Sequence, residues 1–152
     1  MRYILALGAT VLLMGCETRI PKEDYVAYYD ENCKTELEQS GVRFFAIPLT
    51  YEYEIAKWGT PLDSGMRVVV GATPRADLSF EDAFLIRGKD TTGAVLTRKM
   101  QTFELGTADM FVLSFADRIP GAKLRLKNVS QGIGGVELEL KNCQKIRLEE
   151  SK

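Results

Sequence analysis

From residue 42 onward this chain is built of short apolar runs, many with a period of two, separated by turn residues. Such alternation sends every second side chain to one face, which suits strands buried on one side and wetted on the other. The last two runs are the clearest. Leu124 and Leu126 alternate with Lys123, Arg125 and Lys127; beyond a turn at 131–135 that holds three glycines, Val136, Leu138 and Leu140 alternate with Glu137 and Glu139. Folded back as a hairpin, these faces set opposite charges side by side, contributing roughly 0.2–1 kcal/mol per pair.

The same pattern predicts strands upstream. Leu49, Tyr51, Tyr53 and Ile55 alternate with Thr50, Glu52, Glu54 and Ala56, a half-buried strand with a polar outer face. Residues 66–72, 80–87 and 94–105 carry further runs, with turn chemistry at 60–65 and 88–93 and a break at Ile119-Pro120-Gly121. Residues 110–115 are apolar on both parities, so that strand is expected centrally, covered on both faces. About seven strands and no long helical pattern predict a mostly β domain. The expected fold is an antiparallel β-sandwich of immunoglobulin or transthyretin type, or a small barrel. Before the strands, Tyr25, Tyr28 and Tyr29 fit a helical stripe that Cys33 and Leu37 could extend, so 25–40 is read as a short helix or coil.

The N-terminus has the parts of an export signal. Arg2 supplies a positive start and residues 3–14 an apolar run, about 18 Å long as a helix and short of the ~30 Å hydrocarbon core. The run ends in Leu13-Met14-Gly15-Cys16, which resembles the lipobox of bacterial lipoprotein signal peptides. The resemblance covers residues 1–16 only. It implies cleavage before Cys16, diacylation of the Cys16 thiol, acylation of the new amino terminus and attachment to a lipid bilayer. In enterobacterial members of that family an Asp after the cysteine retains the protein in the inner membrane. Glu17 stands there in this chain, so the expected address is the outer membrane, facing the periplasm, with the inner membrane or cell surface as alternatives. The organisation expected is a leader at 1–15, an anchor and polar tether at 16–24, one β-rich domain at 25–149 and a tail at 150–152.

Removing residues 1–15 from 152 leaves 137, the size of one domain. Its two remaining cysteines, Cys33 and Cys143, are predicted to form a disulfide in an oxidising compartment. Cys143 lies on the opposite parity from Val136, Leu138 and Leu140. Either a bulge near Asn142 resets the register, or the bridge lies on the outer face.

The chain has 20 Lys and Arg against 21 Asp and Glu, which gives no electrostatic reason to expect nucleic acid as a partner. It has no histidine, which removes Ser–His and Cys–His pairs and histidine zinc sites. No acidic cluster has calcium-loop spacing. No cofactor, metal or catalytic residue is therefore expected. Asp63-Ser64-Gly65 resembles the triplet of aspartic proteases, but it follows a proline-containing loop, has no second copy, and is also ordinary turn chemistry. Glycines 132, 134 and 135 lack the Lys-Ser/Thr of a phosphate loop and read as a hairpin turn.

Phe44, Phe45, Tyr51, Tyr53 and Trp58 form an aromatic group that the alternation assigns mainly to the core, with Trp58 nearest the surface. The residues expected to touch a partner are Trp58, Asp63, Ser64, Lys89 and Asp90. The function expected is a non-enzymatic, membrane-anchored binding or docking module of a cell-envelope assembly, of secretion or conjugation type. One alternative is an inhibitor or exclusion lipoprotein acting on a periplasmic enzyme, phage or plasmid transfer. A remote one is a dimeric aspartic protease using Asp63.

Overall fold

Where apolar and charged residues alternate, the chain pairs into antiparallel ladders. The computed structural model describes residues 16–61, 64–73, 78–100 and 109–150. In chain order these form β1 (Thr18–Ile20), α1 (Lys22–Cys33), β2 (Thr35–Gln39), β3 (Val42–Leu49), α2 (Tyr51–Trp58) and β4 (Met66–Thr73). There follow β5 (Asp82–Arg87), β6 (Asp90–Gly93), β7 (Leu96–Met100), β8 (Asp109–Phe115), β9 (Lys123–Val129), β10 (Gly134–Glu139) and β11 (Ile146–Leu148). One sheet has the order β2-β3-β4-β8-β7 and a second β10-β9-β5-β6, antiparallel throughout. The domain is mostly β, as the alternation predicts. Among the described residues the two sheets share a core but no ladder, which is a sandwich arrangement and not a closed barrel.

The core follows from the period of two. Phe44 and Ala46 of β3, Val68 and Val70 of β4, and Leu113 and Phe115 of β8 meet Leu85 of β5, Leu124 and Leu126 of β9 and Leu138 of β10. Each of these side chains is essentially removed from water, contributing about 1.5–3 kcal/mol for a Val, Leu or Phe. The hairpin of β9 and β10 pairs as the charges predict. Glu137 lies opposite Arg125, its Oε1 at 2.5 Å from Arg125 Nη2, with Lys123 Nζ at 3.5 Å from Oε2. Hydrogen bonding from Arg125 holds the Glu137 carboxyl below its ordinary range. Along one flank Thr35 Oγ1 donates to the carbonyl of Glu139, and Gln39 Nε2 to those of Ile133 and Gly135. Elsewhere the chain itself steps between sheets: Ala94 N–H donates to Ala83 and Val95 N–H to Ser114.

A third layer covers the outer face of the five-stranded sheet. Tyr25, Tyr29 and Cys33, at i, i+4 and i+8 of α1, pack with Ile47 and Leu49 of β3, Tyr53 of α2 and Cys143 in a second apolar cluster. Cys33 and Cys143 are joined, with their Cα atoms 6.1 Å apart. The parity question resolves outside the strand: β10 ends at Glu139, and the following segment carries Cys143 out of the sandwich core to α1. Strands covered on both faces are therefore those under this layer, β3 and β4. In β8, by contrast, Met110, Val112 and Ser114 are only half-buried, so the expectation of full cover at 110–115 does not hold.

Three further readings are corrected. Residues 51–58 are helical, not a strand. The Thr50 hydroxyl accepts the Tyr53 N–H at the start, and Gly59 closes the end in a left-handed conformation (φ 82°), its N–H donating to Ile55 at 2.9 Å. The helix keeps Tyr53 inward, 3% exposed, but reverses its neighbours. Glu54, expected outward, is fully buried, whereas Tyr51 and Ile55, expected inward, are 39% and 36% exposed. Residues 17–24 are not a free tether either. β1 pairs in parallel with β11, and Pro21 leads directly into α1, leaving two described residues, Cys16 and Glu17, ahead of the fold. Half-buried Ile20 drives this docking by packing on the second cluster. Lys89 and Gly88 alone turn the β5–β6 hairpin, because Asp90 to Gly93, expected as turn, pair with β5.

Candidate functional site

The corner where β3 passes into α2 forms a cleft of about 350 Å³. Its floor is apolar: Pro48 and Leu49 from the end of β3, Met66 from the start of β4, Pro120 from the β8–β9 connection and Ile146 from β11. Polar groups enter from four directions, with Tyr29 from α1, Tyr51 and Glu52 from α2, Arg118 beside Pro120, and Lys141, Gln144 and Arg147 from the C-terminal segment.

Arg118 organises this corner. Its Nη1 donates to the Leu49 carbonyl at 3.0 Å and its Nη2 to that of Gly65 at 2.9 Å, tying β3 to the approach to β4. The guanidinium carbon lies 3.6 Å from the centroid of the Tyr51 ring, and the Tyr51 hydroxyl donates to the Ser64 carbonyl. Arg118 Nε is buried without a hydrogen-bond partner among the described residues. Among the described residues no carboxylate pairs with Arg118 or with Lys141, whose Nζ donates to the Asn32 carbonyl. Arg147 does have one: its Nε is 2.5 Å from Glu52 Oε1, and Glu52 Oε2 accepts the Leu148 N–H.

Behind the cleft runs an aromatic series. Tyr25 and Tyr29 stack at 5.9 Å between centroids, Tyr29 and Tyr53 tilt at 4.9 Å, and Tyr53 meets Trp58 edge-on at 6.2 Å. The Tyr29 hydroxyl donates to Pro48, that of Tyr25 to Ile146, and that of Tyr53 to Asp30 Oδ1. Burial raises the phenol pKa of all three, with the Asp30 charge adding to the effect at Tyr53. A folded-state pKa above the unfolded value of about 10 means stability that is complete below pH ~10 and lost as pH rises through the folded pKa. These three tyrosines should therefore stay neutral in the folded protein when exposed phenols ionise, and yield phenolate only as the domain unfolds. Absorbance at the phenolate band, followed with circular dichroism, checks this. A single ionisation step with the fold intact would contradict it.

Along the outside of α2, Tyr51, Ile55 and Trp58 at i, i+4 and i+7 form an exposed stripe; Trp58 is 41% exposed. Lys57 Nζ sits 5.7 Å from the Trp58 ring centroid and 5.4 Å from that of Tyr53.

The residues expected to touch a partner are distributed unevenly over this frame. Trp58 is at the surface as expected, and Ser64 lies beside Tyr51 through its carbonyl. Lys89 and Asp90 are exposed at the β5–β6 hairpin of the other sheet. Asp63 lies outside the described residues. Cys16 is exposed and lies outside the disulfide. Among the described residues no group of three or more Cys, Asp or Glu converges as a metal site. Sequence reasoning missed Arg118, Lys141 and Arg147, which no local pattern distinguishes from other surface cations. Thr50 and Gly59, the two positions that frame α2, were the one signal available for the corner itself. Comparison of the chain with protein-family models, with curated proteins and with solved structures finds no match.

Proposed function

We propose that the protein is a non-enzymatic docking module of a cell-envelope assembly, held to a membrane by lipid on Cys16. The observation that carries the docking role is the exposed stripe of Tyr51, Ile55 and Trp58 on α2. Large aromatic and aliphatic side chains on one helical face, rimmed by Lys57, have the composition of the anchor residues of protein interfaces. The disulfide supports an exported address, since such bridges persist in oxidising compartments. The short lead from Cys16 to β1, at most about 7 Å for two residues, would hold the domain close to the bilayer that anchors it. Acylation at three positions would make that anchorage stable, because each buried CH₂ contributes about 0.8 kcal/mol. The outer membrane, with the domain facing the periplasm, is the location proposed from Glu17.

A photo-crosslinking amino acid placed at Ile55 in living cells tests both halves. The expected result is one partner captured from Ile55 and from Trp58, and not from Lys89 on the distant hairpin. Its capture should fall when Cys16→Ser releases the protein from the membrane. Recovery of the uncrosslinked protein alone from both stripe positions would overturn the docking role. A mature protein whose mass carries no acyl chains would overturn the anchor.

A further inference from the structure

The cleft at the β3–α2 corner has a chemistry of its own. Its lining brings three cations, Arg118, Lys141 and Arg147, to one carboxylate, Glu52, and that carboxylate is taken by Arg147. Two positive charges therefore face the cleft with only carbonyl partners among the described residues. Arg118 is the more telling of the two. Stacked on Tyr51 and bonded to two carbonyls, its guanidinium is held in one place, and that preorganisation lowers the entropy lost on binding an anion. Half-buried Pro120 and Ile146 supply an apolar bed beside it, over the buried Leu49 and Met66. A concave apolar pocket with a few fixed polar groups is the general form of a small-ligand site.

We infer that the cleft binds a ligand that joins an apolar body to one carboxylate, the carboxylate set against Arg118 and Lys141 and the apolar body on Pro120 and Ile146. An aliphatic acid and the free C-terminus of a peptide with an apolar last residue share this chemistry. The cleft meets the α2 stripe at Tyr51 but includes neither Ile55 nor Trp58, and it does not depend on acylation of Cys16. Phosphate without an apolar body would use only half of the cleft, and a cationic ligand would meet the net positive lining.

The full-length protein in detergent, titrated with hexanoate, hexanamide and hexylamine, tests this, followed by the backbone amide signals of Thr50, Glu52 and Ile146. Acetyl-leucine and its amide repeat the comparison for a peptide terminus. The arm with the higher affinity identifies which source the cleft prefers. Each acid should bind at least about tenfold more tightly than its amide, with no saturable shift from the amine. Arg118→Gln should weaken the acid by about tenfold or more, and Lys141→Glu by roughly two- to fivefold. Because Arg118 also ties two carbonyls, its variant could lose the local fold. Lys141 is exposed, so Lys141→Glu decides the matter in that event. Equal affinity for acid and amide, absence of any saturable shift, or an acid affinity unchanged by Lys141→Glu would each overturn the assignment.

Discussion

Arg67→Met should destabilise the domain by about 3–5 kcal/mol, because it leaves the Glu54 carboxylate buried without its charge partner. Arg67 lies on the face of β4 opposite the sandwich core, and Glu54 reaches it from α2. Their contact is two-pronged: Arg67 Nε donates to Glu54 Oε1 at 2.6 Å and Nη2 to Oε2 at 2.9 Å. Glu54 is 0% and Arg67 2% exposed, so water cannot stand in for either partner. The pair is a costly way to hold a helix on a sheet, since both charges lose their hydration. Replacing both, Glu54→Leu with Arg67→Met, should therefore recover part of that loss. Urea unfolding of the two single variants and the double variant measures this directly. A loss of under about 1 kcal/mol for Arg67→Met would mean that the pair is hydrated in solution.

Loss of the Cys33–Cys143 bridge should be of similar size. The linked residues are 110 apart, and closing a loop of that length restricts the unfolded chain by about 4–5 kcal/mol in the chain-entropy model. Cys33→Ala with Cys143→Ala is the suitable variant, as it leaves no thiol or hydroxyl inside the second apolar cluster. The bridge joins the end of α1 to the segment after β10, so amide exchange should accelerate first in α1 and β11. Equal urea midpoints for the variant and the oxidised protein would remove the bridge from any account of stability.

Both effects lie in the helical layer, which is also where the sequence was hardest to read. The hairpin of β9 and β10 was legible because its information is local. Apolar and charged residues alternate without interruption, the partners are neighbours in sequence, and Glu137 meets Arg125 as the charges require. Residues 51–58 satisfied two templates at once. Over eight residues, a Tyr-Glu-Tyr-Glu-Ile-Ala alternation and a two-turn helix cannot be separated by period alone. Thr50 and Gly59 have the residue types of a helix start and a helix end, a signal that reading the alternation alone leaves out. Glu54 shows why burial could not be foreseen: a glutamate reads as solvated unless its Arg67 partner, thirteen positions away, is already in place.

The sequence by itself determined the antiparallel β character, the core residues of most strands and the cysteine pair, because each rests on short-range periodicity or on the chemistry of one residue type. Tertiary structure decided the third layer, the burial of Glu54 and exposure of Tyr51 and Ile55 on α2, and the cleft around Arg118. Those features exist only once residues from α1, β3, the β8–β9 connection and β11 are brought together. Their energies come from long-range burial and from charges paired across elements, and neither leaves a period in the chain.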